Sequence, residues 1–243
     1  MAAMLMDSGQ AEVINCDIGA LPSRSLLLQR GAMPVGSVEF VRQAMKLAGI
    51  HEPAAMSYPP GCEPFLHRQI RRVPIVELRG RQFVKPTTTK SFNGFVLDAD
   101  APLAQYLDEH DLEQHTAMRS LPADTLVYAS EVVQFQCEWR YYVLGGLIIG
   151  AARYDPDGLD DAPEPDLVVI NACMASLAIQ HPYALDIGVL ADGRTAVVEV
   201  NDAWAIGWYR NSLKPMAYLE FLLARWRCLL NRRDPHARTE GCA

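Results

Sequence analysis

The chain has 243 residues, half of them apolar, with 22 basic and 29 acidic side chains and a net charge of −7. That length and apolar content suffice for a sizeable core in one or two subdomains, while the negative balance argues against general nucleic-acid affinity. Six cysteines, Cys16, Cys62, Cys137, Cys173, Cys228 and Cys242, show neither a CxxC pair nor zinc spacing, and read as free thiols of a cytoplasmic protein.

The opening Met1-Ala2-Ala3-Met4-Leu5-Met6-Asp7 lacks the basic and apolar regions of a targeting signal. Residues 1–36 hold only short apolar runs around Val13 and Leu26. Ser37 reads as the N-cap of a helix that buries Val38, Val41, Met45 and Ala48 and ends near Gly49. His51 to Pro64, with Pro53, Pro59, Pro60 and Gly61, is a linker or strap. From about Val73 to Val133 the pattern fits an α+β unit with a helix over Leu103 to Leu112. Leu167 to Leu185 contains no Asp, Glu, Lys or Arg, yet Asn171, Gln180, His181 and Pro182 interrupt it; a buried helix is expected there, not a membrane span. A last helix begins at Pro215, with Met216, Leu219, Leu223, Trp226 and Leu230 as its core stripe. Arg225, Arg227, Arg232, Arg233 and Arg238 then fall on its solvated side and tail.

Candidate chemistry gathers in three places. Phe83-Val84-Lys85-Pro86 reads as a strand closed by proline, followed by the small-residue loop Thr87-Thr88-Thr89-Lys90-Ser91-Phe92-Asn93-Gly94 and the apolar Phe95-Val96-Leu97. Hydroxyls and backbone amides beside two ammonium groups can cradle phosphates, although the GxxxxGK[ST] pattern is absent; an edge strand and a surface turn give the same pattern. Further on, Gly145-Gly146 marks a two-residue hairpin that pairs Leu144 with Leu147, Arg140 with Ala151 and Glu138 with Arg153. Glu138, Arg140 and Arg153 then share a face, either as an exposed ion pair or as a ribose and phosphate surface. Asp192-Gly193 marks another hairpin, pairing Leu190 with Thr195, Gly188 with Val197 and Asp186 with Glu199. Like charges directly opposite destabilise a ladder, and Asn201 lies on the same face one pleat along. Either this is a solvated sheet face, or the two carboxylates and the amide oxygen hold a hard cation such as Mg²⁺.

Other chemistries find little support. His67, His110, His115 and His181 stand in separate contexts, no GxSxG occurs, and no cysteine has an electropositive setting. Asp155-Pro156-Asp157-Gly158 with Asp160 and Asp161 lacks the spacing of a calcium loop and reads as a solvent loop before a helix.

In their order, these segments resemble the ATP-grasp enzymes, in particular small bacterial and phage ATP-grasp proteins of carboxylate-amine ligase type. The likeness begins at Pro34-Val35-Gly36-Ser37-Val38-Glu39-Phe40-Val41. It continues through Phe83 to Pro86, Lys90 to Phe95, Ser130-Glu131-Val132-Val133, Glu138 to Val143 and Leu185 to Val189, and ends with Glu199-Val200-Asn201-Asp202-Ala203-Trp204, within residues 34 to 230.

The resemblance implies an α+β ATP-grasp fold, two lobes whose antiparallel sheets clamp the nucleotide, behind a short N-terminal segment. Its divisions are residues 1–70, a clamp subdomain at 71–133 and a C-terminal lobe at 134–243. It implies that Lys85 and Lys90 hold ATP phosphates, that Glu131, Val132 and Val133 form the adenine hinge, and that Glu138 meets the ribose. Arg140 faces the phosphates or an acyl phosphate, and Asp186, Glu199 and Asn201 carry Mg²⁺. Where many relatives have an arginine two residues before the first metal aspartate, this chain has Ala184, so Arg140, Arg153 or Lys214 must supply that charge; Arg140, Lys90 and Arg153 form the expected catalytic set. Thr87-Thr88-Thr89 also replaces a glycine-rich loop. The implied activity joins a small-molecule or peptide carboxylate to an amine at the expense of ATP, with no nucleic-acid or membrane partner. A nucleotide-binding protein without ligase activity and a phosphotransferase are the alternatives. Residues 1–70 and the loops at Asp155–Pro165 and Trp204–Lys214 are expected to shape the substrate pocket, with Trp204, Trp208 and Tyr209 read chiefly as packing residues.

Overall fold

The structure is a computed structural model that describes residues 12–89, 91–101, 109–155, 161 and 163–233. Lys90, Arg238, Cys242, the opening Met1 to Asp7, Pro156 to Asp160 and most of the expected helix from Leu103 lie outside the described residues. After a 3-10 turn at Ile18–Arg24 and the short α1 (Ser25–Gln29), α2 spans Val38–Ala48. Its ends follow the sequence signals. Ser37 Oγ accepts from the Phe40 amide at 3.3 Å, and Gly49 closes the helix in the left-handed region at φ 71°. Val38, Val41, Ala44, Met45 and Ala48 pack with Leu21, Leu28, Trp204, Trp226 and Leu229, so the N-terminal segment docks on the C-terminal part of the chain.

The first antiparallel sheet contains β1 (Ile70–Pro74), β2 (Arg81–Pro86), β3 (Phe95–Asp98) and β4 (Leu126–Ser130), in the order β1-β4-β2-β3. Alternation puts Val84, Phe95, Leu97, Val127 and Ala129 on one face, against Met118 of α3 (Glu109–Arg119). This helix runs past the expected end at Leu112 because Met118, fully buried, completes that apolar layer.

Residues 131–134 lead into the second antiparallel sheet, with β5 (Phe135–Leu144), β6 (Leu147–Arg153), β7 (Tyr183–Leu190) and β8 (Thr195–Asp202) in the order β6-β5-β7-β8. Tyr141, Val143, Leu185, Ile187, Val197 and Val200 pack under Ile170 and Cys173 of α4 (Leu167–Ser176). On the other face Tyr142 and Ala184 meet Tyr218, Phe221 and Leu222 of α5 (Pro215–Arg233). Covered on both sides, β7 is buried at every position, Asp186 included.

Two helix expectations need correction. The uncharged run from Leu167 is helical only to Ser176, then Tyr183 enters β7, and Leu167 and Val168 are exposed. In α5 the buried stripe is Tyr218, Phe221, Leu222, Arg225, Trp226 and Leu229; Met216, Leu219, Leu223 and Leu230 are only half-buried. The stripe turns because Arg225, expected in solvent, is fully buried in a bidentate pair with Asp202 at 2.7 and 2.6 Å. Arg227 and Arg232 are exposed as expected. Cys16, Cys62, Cys137, Cys173 and Cys228 are free thiols, and no helix among the described residues is long and apolar enough to cross a membrane.

Candidate active site

The hairpin of β7 and β8 reaches the expected pairing by an unexpected route. The turn is longer than Asp192-Gly193: the Leu190 amide bonds Arg194 O at 2.8 Å, the Gly193 amide bonds Leu190 O at 2.8 Å, and Gly193 adopts φ 85°. This is a three-residue loop with glycine in the left-handed position. Val189 therefore faces Thr195 and Gly188 faces Ala196, each one residue off the expectation. A bulge at Val198 then adds one residue to β8, and Asp186 faces Glu199 after all. Without that residue the ladder would set Leu185 opposite Glu199 and turn a carboxylate into the apolar face.

Between β5 and β6 the same device has the opposite result. Gly145-Gly146 is the expected two-residue turn, with Leu144 facing Leu147, but a bulge at Ile149 shifts everything beyond it. Arg140 faces Ala152 and Trp139 faces Arg153, so the expected pairs of Arg140 with Ala151 and of Glu138 with Arg153 do not form. Arg153 instead makes a bidentate pair with Asp155 at 2.9 and 3.0 Å. Tyr154 takes the place opposite Glu138: its amide bonds Glu138 O at 3.0 Å and its hydroxyl donates to Glu138 Oε2 at 2.6 Å. Burial pushes the Glu138 carboxyl above its ordinary range, against the pull of that hydroxyl.

Three charged residues consequently form a row across the sheet, Arg140 on β5, Asp186 on β7 and Glu199 on β8. Arg140 donates two bonds to Asp186, at 2.8 and 2.6 Å, and its guanidinium lies 5.5 and 5.3 Å from the Tyr154 and Tyr209 rings. The Asn201 amide donates to Asp186 Oδ2 at 2.9 Å and to Glu199 Oε1 at 3.1 Å, bridging the two acids. Lys85, arriving from β2 of the other sheet, donates to Glu199 Oε2 and stands 5.3 Å from the Tyr58 ring. The positive charge that facing carboxylates require is thus supplied from both sheets.

Burial drives the Asp186 carboxyl up to about 6, with Glu199 and Glu138 adding to it and Arg140 opposing. The two charge-assisted bonds still leave that pair ionised at neutral pH. For Glu199 burial acts upward, but Lys85 and the Asn201 amide outweigh it and hold the carboxyl below its ordinary value. Lys85 is itself raised, because Glu199 prevails over burial.

A cleft of about 730 Å³ opens beside this row, lined by Lys85, Thr88, Thr89, Asn93, Arg140, Glu199 and Asn201. Residues 35–38 and 54–57 and the Trp204–Tyr209 segment complete its wall, so Trp204, Trp208 and Tyr209 border the space as well as packing. Asp186 is 1% exposed and sits behind Arg140. Glu131, Val132 and Val133 lie in the link between the sheets, away from this cleft, and the Glu131 carboxylate accepts from the Gln69 amide at 2.9 Å. Neither Glu138 nor Arg153 lines the cleft. Two carboxylates and an amide oxygen suit a hard divalent ion chemically; Glu199 and Asn201 could meet one directly, and Asp186 through its edge beside Asn201.

Sequence reasoning overlooked Tyr154, Tyr58, Arg68 and the buried Gln114, whose side-chain oxygen fixes the loop by accepting from the Asn93 amide at 2.6 Å. Glycines inside strands were the available signal for close packing and irregular ladders. A Cβ on Gly150 would lie 2.2 Å from Ser212 O, and one on Gly188 2.2 Å from the Phe135 ring.

Two antiparallel sheets linked at residues 131–134, with a lysine of one set on a carboxylate row of the other, define a nucleotide clamp. The chain belongs to the ATP-grasp domain proteins, clade family 2, whose model matches residues 65–221. No curated protein matches it. Among solved structures, the ATP-grasp ligase PsnB complexed with minimal precursor is 19% identical, covering 92% of this chain and 68% of that one at a TM-score of 0.41. D-alanine–D-alanine ligase from Bacillus anthracis complexed with ATP is 14% identical, covering 80% and 65% at a TM-score of 0.41. L-amino acid ligase from Bacillus licheniformis is 13% identical, with 82% of this chain and 53% of that one covered at a TM-score of 0.37.

Proposed function

We propose that this chain is an ATP-dependent ligase that joins a carboxylate to an amine through an acyl phosphate, releasing ADP and phosphate. The observation that carries the reading is the meeting of Lys85, from the first sheet, with the Arg140, Asp186, Glu199 and Asn201 constellation of the second. In this reading Lys85 and Lys90 bind the ATP phosphates, Glu131 to Val133 border the adenine, and Glu138 meets the ribose or the polar groups beside it. Asp186, Glu199 and Asn201 hold Mg²⁺, which when bound neutralises phosphate charge. Lys85 exchanges Glu199 for a phosphate oxygen as nucleotide enters. Arg140 presents its fork to the transferring group while the Tyr154 and Tyr209 rings fix its plane. Arg153, bound to Asp155, is the weaker candidate for that charge. Residues 54–57 with Trp208 and Tyr209 border the acceptor.

The test is ADP and phosphate release across a panel of carboxylates and amines. Release that requires both supports the ligase; a stable phosphorylated product formed without amine supports a phosphotransferase instead. A second reading, nucleotide binding without ligation, is favoured by Ala184, fully buried where relatives carry an arginine, and by the bidentate hold of Arg140 on Asp186. It predicts nucleotide binding with no release under any pairing.

A further inference from the structure

The bulge that brings Glu199 opposite Asp186 lies on an edge strand, since β8 has a ladder partner only in β7. In a regular strand successive carbonyls point to opposite edges; here two in a row reach one side chain. Arg68 donates from Nη1 to Val197 O at 2.9 Å and from Nη2 to Val198 O at 3.0 Å, with a further bond from Nη1 to Leu66 O at 3.0 Å. Its guanidinium is sandwiched 5.9 Å from the Tyr58 ring and 5.7 Å from that of Phe135. The chain is turned into this position by His67, a non-glycine residue at φ 51°, whose ring nitrogen lies 3.0 Å from Arg194 beside the hairpin turn. One residue past the bulge, the Val200 amide bonds Ser57 O at 2.9 Å, so the segment bearing Tyr58 and Arg68 covers the irregular edge on both sides of Glu199.

We propose that Arg68 is a positioning residue for Glu199: its fork binds the two carbonyls that the Val198 bulge turns outward and thereby fixes the Glu199 carboxylate beside Asp186 and Asn201. A rigid, planar pair of donors suits two adjacent acceptors, whereas lysine offers a point charge. Arg68 touches neither carboxylate. It acts through the backbone, as groups behind metal ligands act elsewhere. The consequence for cation binding rests on the reading of Asp186, Glu199 and Asn201 as a Mg²⁺ face.

The test compares wild type, Arg68→Lys and Arg68→Met, with Arg72→Met as an exposed control on β1. Calorimetry measures ADP affinity without Mg²⁺ and across a Mg²⁺ series, while NMR follows amide exchange at Val198 and Glu199. The expected result is unchanged Mg²⁺-free affinity in all four proteins, Mg²⁺ affinity about 10- to 100-fold weaker in Arg68→Met, partial recovery in Arg68→Lys, and faster exchange confined to the bulge. If Arg68→Met does not fold, Arg68→Lys against wild type decides by the same readouts. Unaltered bulge amides overturn the proposal, as does an equal loss of ADP affinity with and without Mg²⁺. Wild type that ignores Mg²⁺ while the Arg68 variants loosen the bulge overturns the metal reading alone and leaves the hold of Arg68 on the backbone standing.

Discussion

The two hairpins of the second sheet each carry one extra residue, and only in one does it cancel. Between β7 and β8 a three-residue loop offsets the register by one and the Val198 bulge restores it, so Asp186 meets Glu199. Between β5 and β6 a two-residue turn starts in register and the Ile149 bulge takes it out, so Tyr154 replaces Arg153 beside Glu138. Facing pairs depend on turn length plus bulge. A correct pair can therefore follow from a wrong turn.

The largest expected effect of a single change falls on the hairpin whose errors cancel. Glu199→Gln removes the charge partner of Lys85 and one of the oxygen donors, and should abolish turnover while a thermal melt remains cooperative. Next come the glycines that let each strand deviate. Gly150→Ala should cost more than Gly188→Ala in chemical denaturation, the latter about 1–3 kcal/mol, because Gly150 meets backbone that cannot swing aside whereas Gly188 meets the Phe135 ring. Phe135→Leu should recover part of the second loss and none of the first. Tyr154→Phe keeps the ring beside Arg140 but leaves Glu138 without its 2.6 Å bond, a loss of about 1 kcal/mol in the same assay.

The smallest effect concerns Asp155, which takes up the displaced Arg153. Burial acts upward on its carboxyl, but Arg153 and the Glu138 amide prevail and hold it below its ordinary value. A carboxyl depressed in the folded state stabilises above its unfolded pKa, about 3.9, and loses that contribution as pH falls through the folded value. The stability gap between wild type and Asp155→Asn should therefore be full at pH 7 and close in the acid range, as urea melts at both pH values will show.

Local signals were legible where one residue decides one feature. Ser37 and Gly49 bound α2, proline ends β2, and the ordered acids and amide of β7 and β8 pointed to one face. What alternation cannot reveal is an added residue, since a bulge leaves composition untouched. That is why the partner of Arg153 was misread and why Tyr154 and Arg68 were overlooked. Burial of Arg225 was hidden for a related reason: a helix stripe read from apolar residues skips a charged residue whose partner, Asp202, is distant in sequence.

Calorimetric titration of ADP with and without Mg²⁺, on wild type and Glu199→Gln, tests most directly whether the paired register forms one nucleotide and cation site. Binding that tightens with Mg²⁺ in wild type and loses that dependence in the variant is the predicted result. The same Mg²⁺ dependence in both proteins, or no binding by wild type, would contradict it.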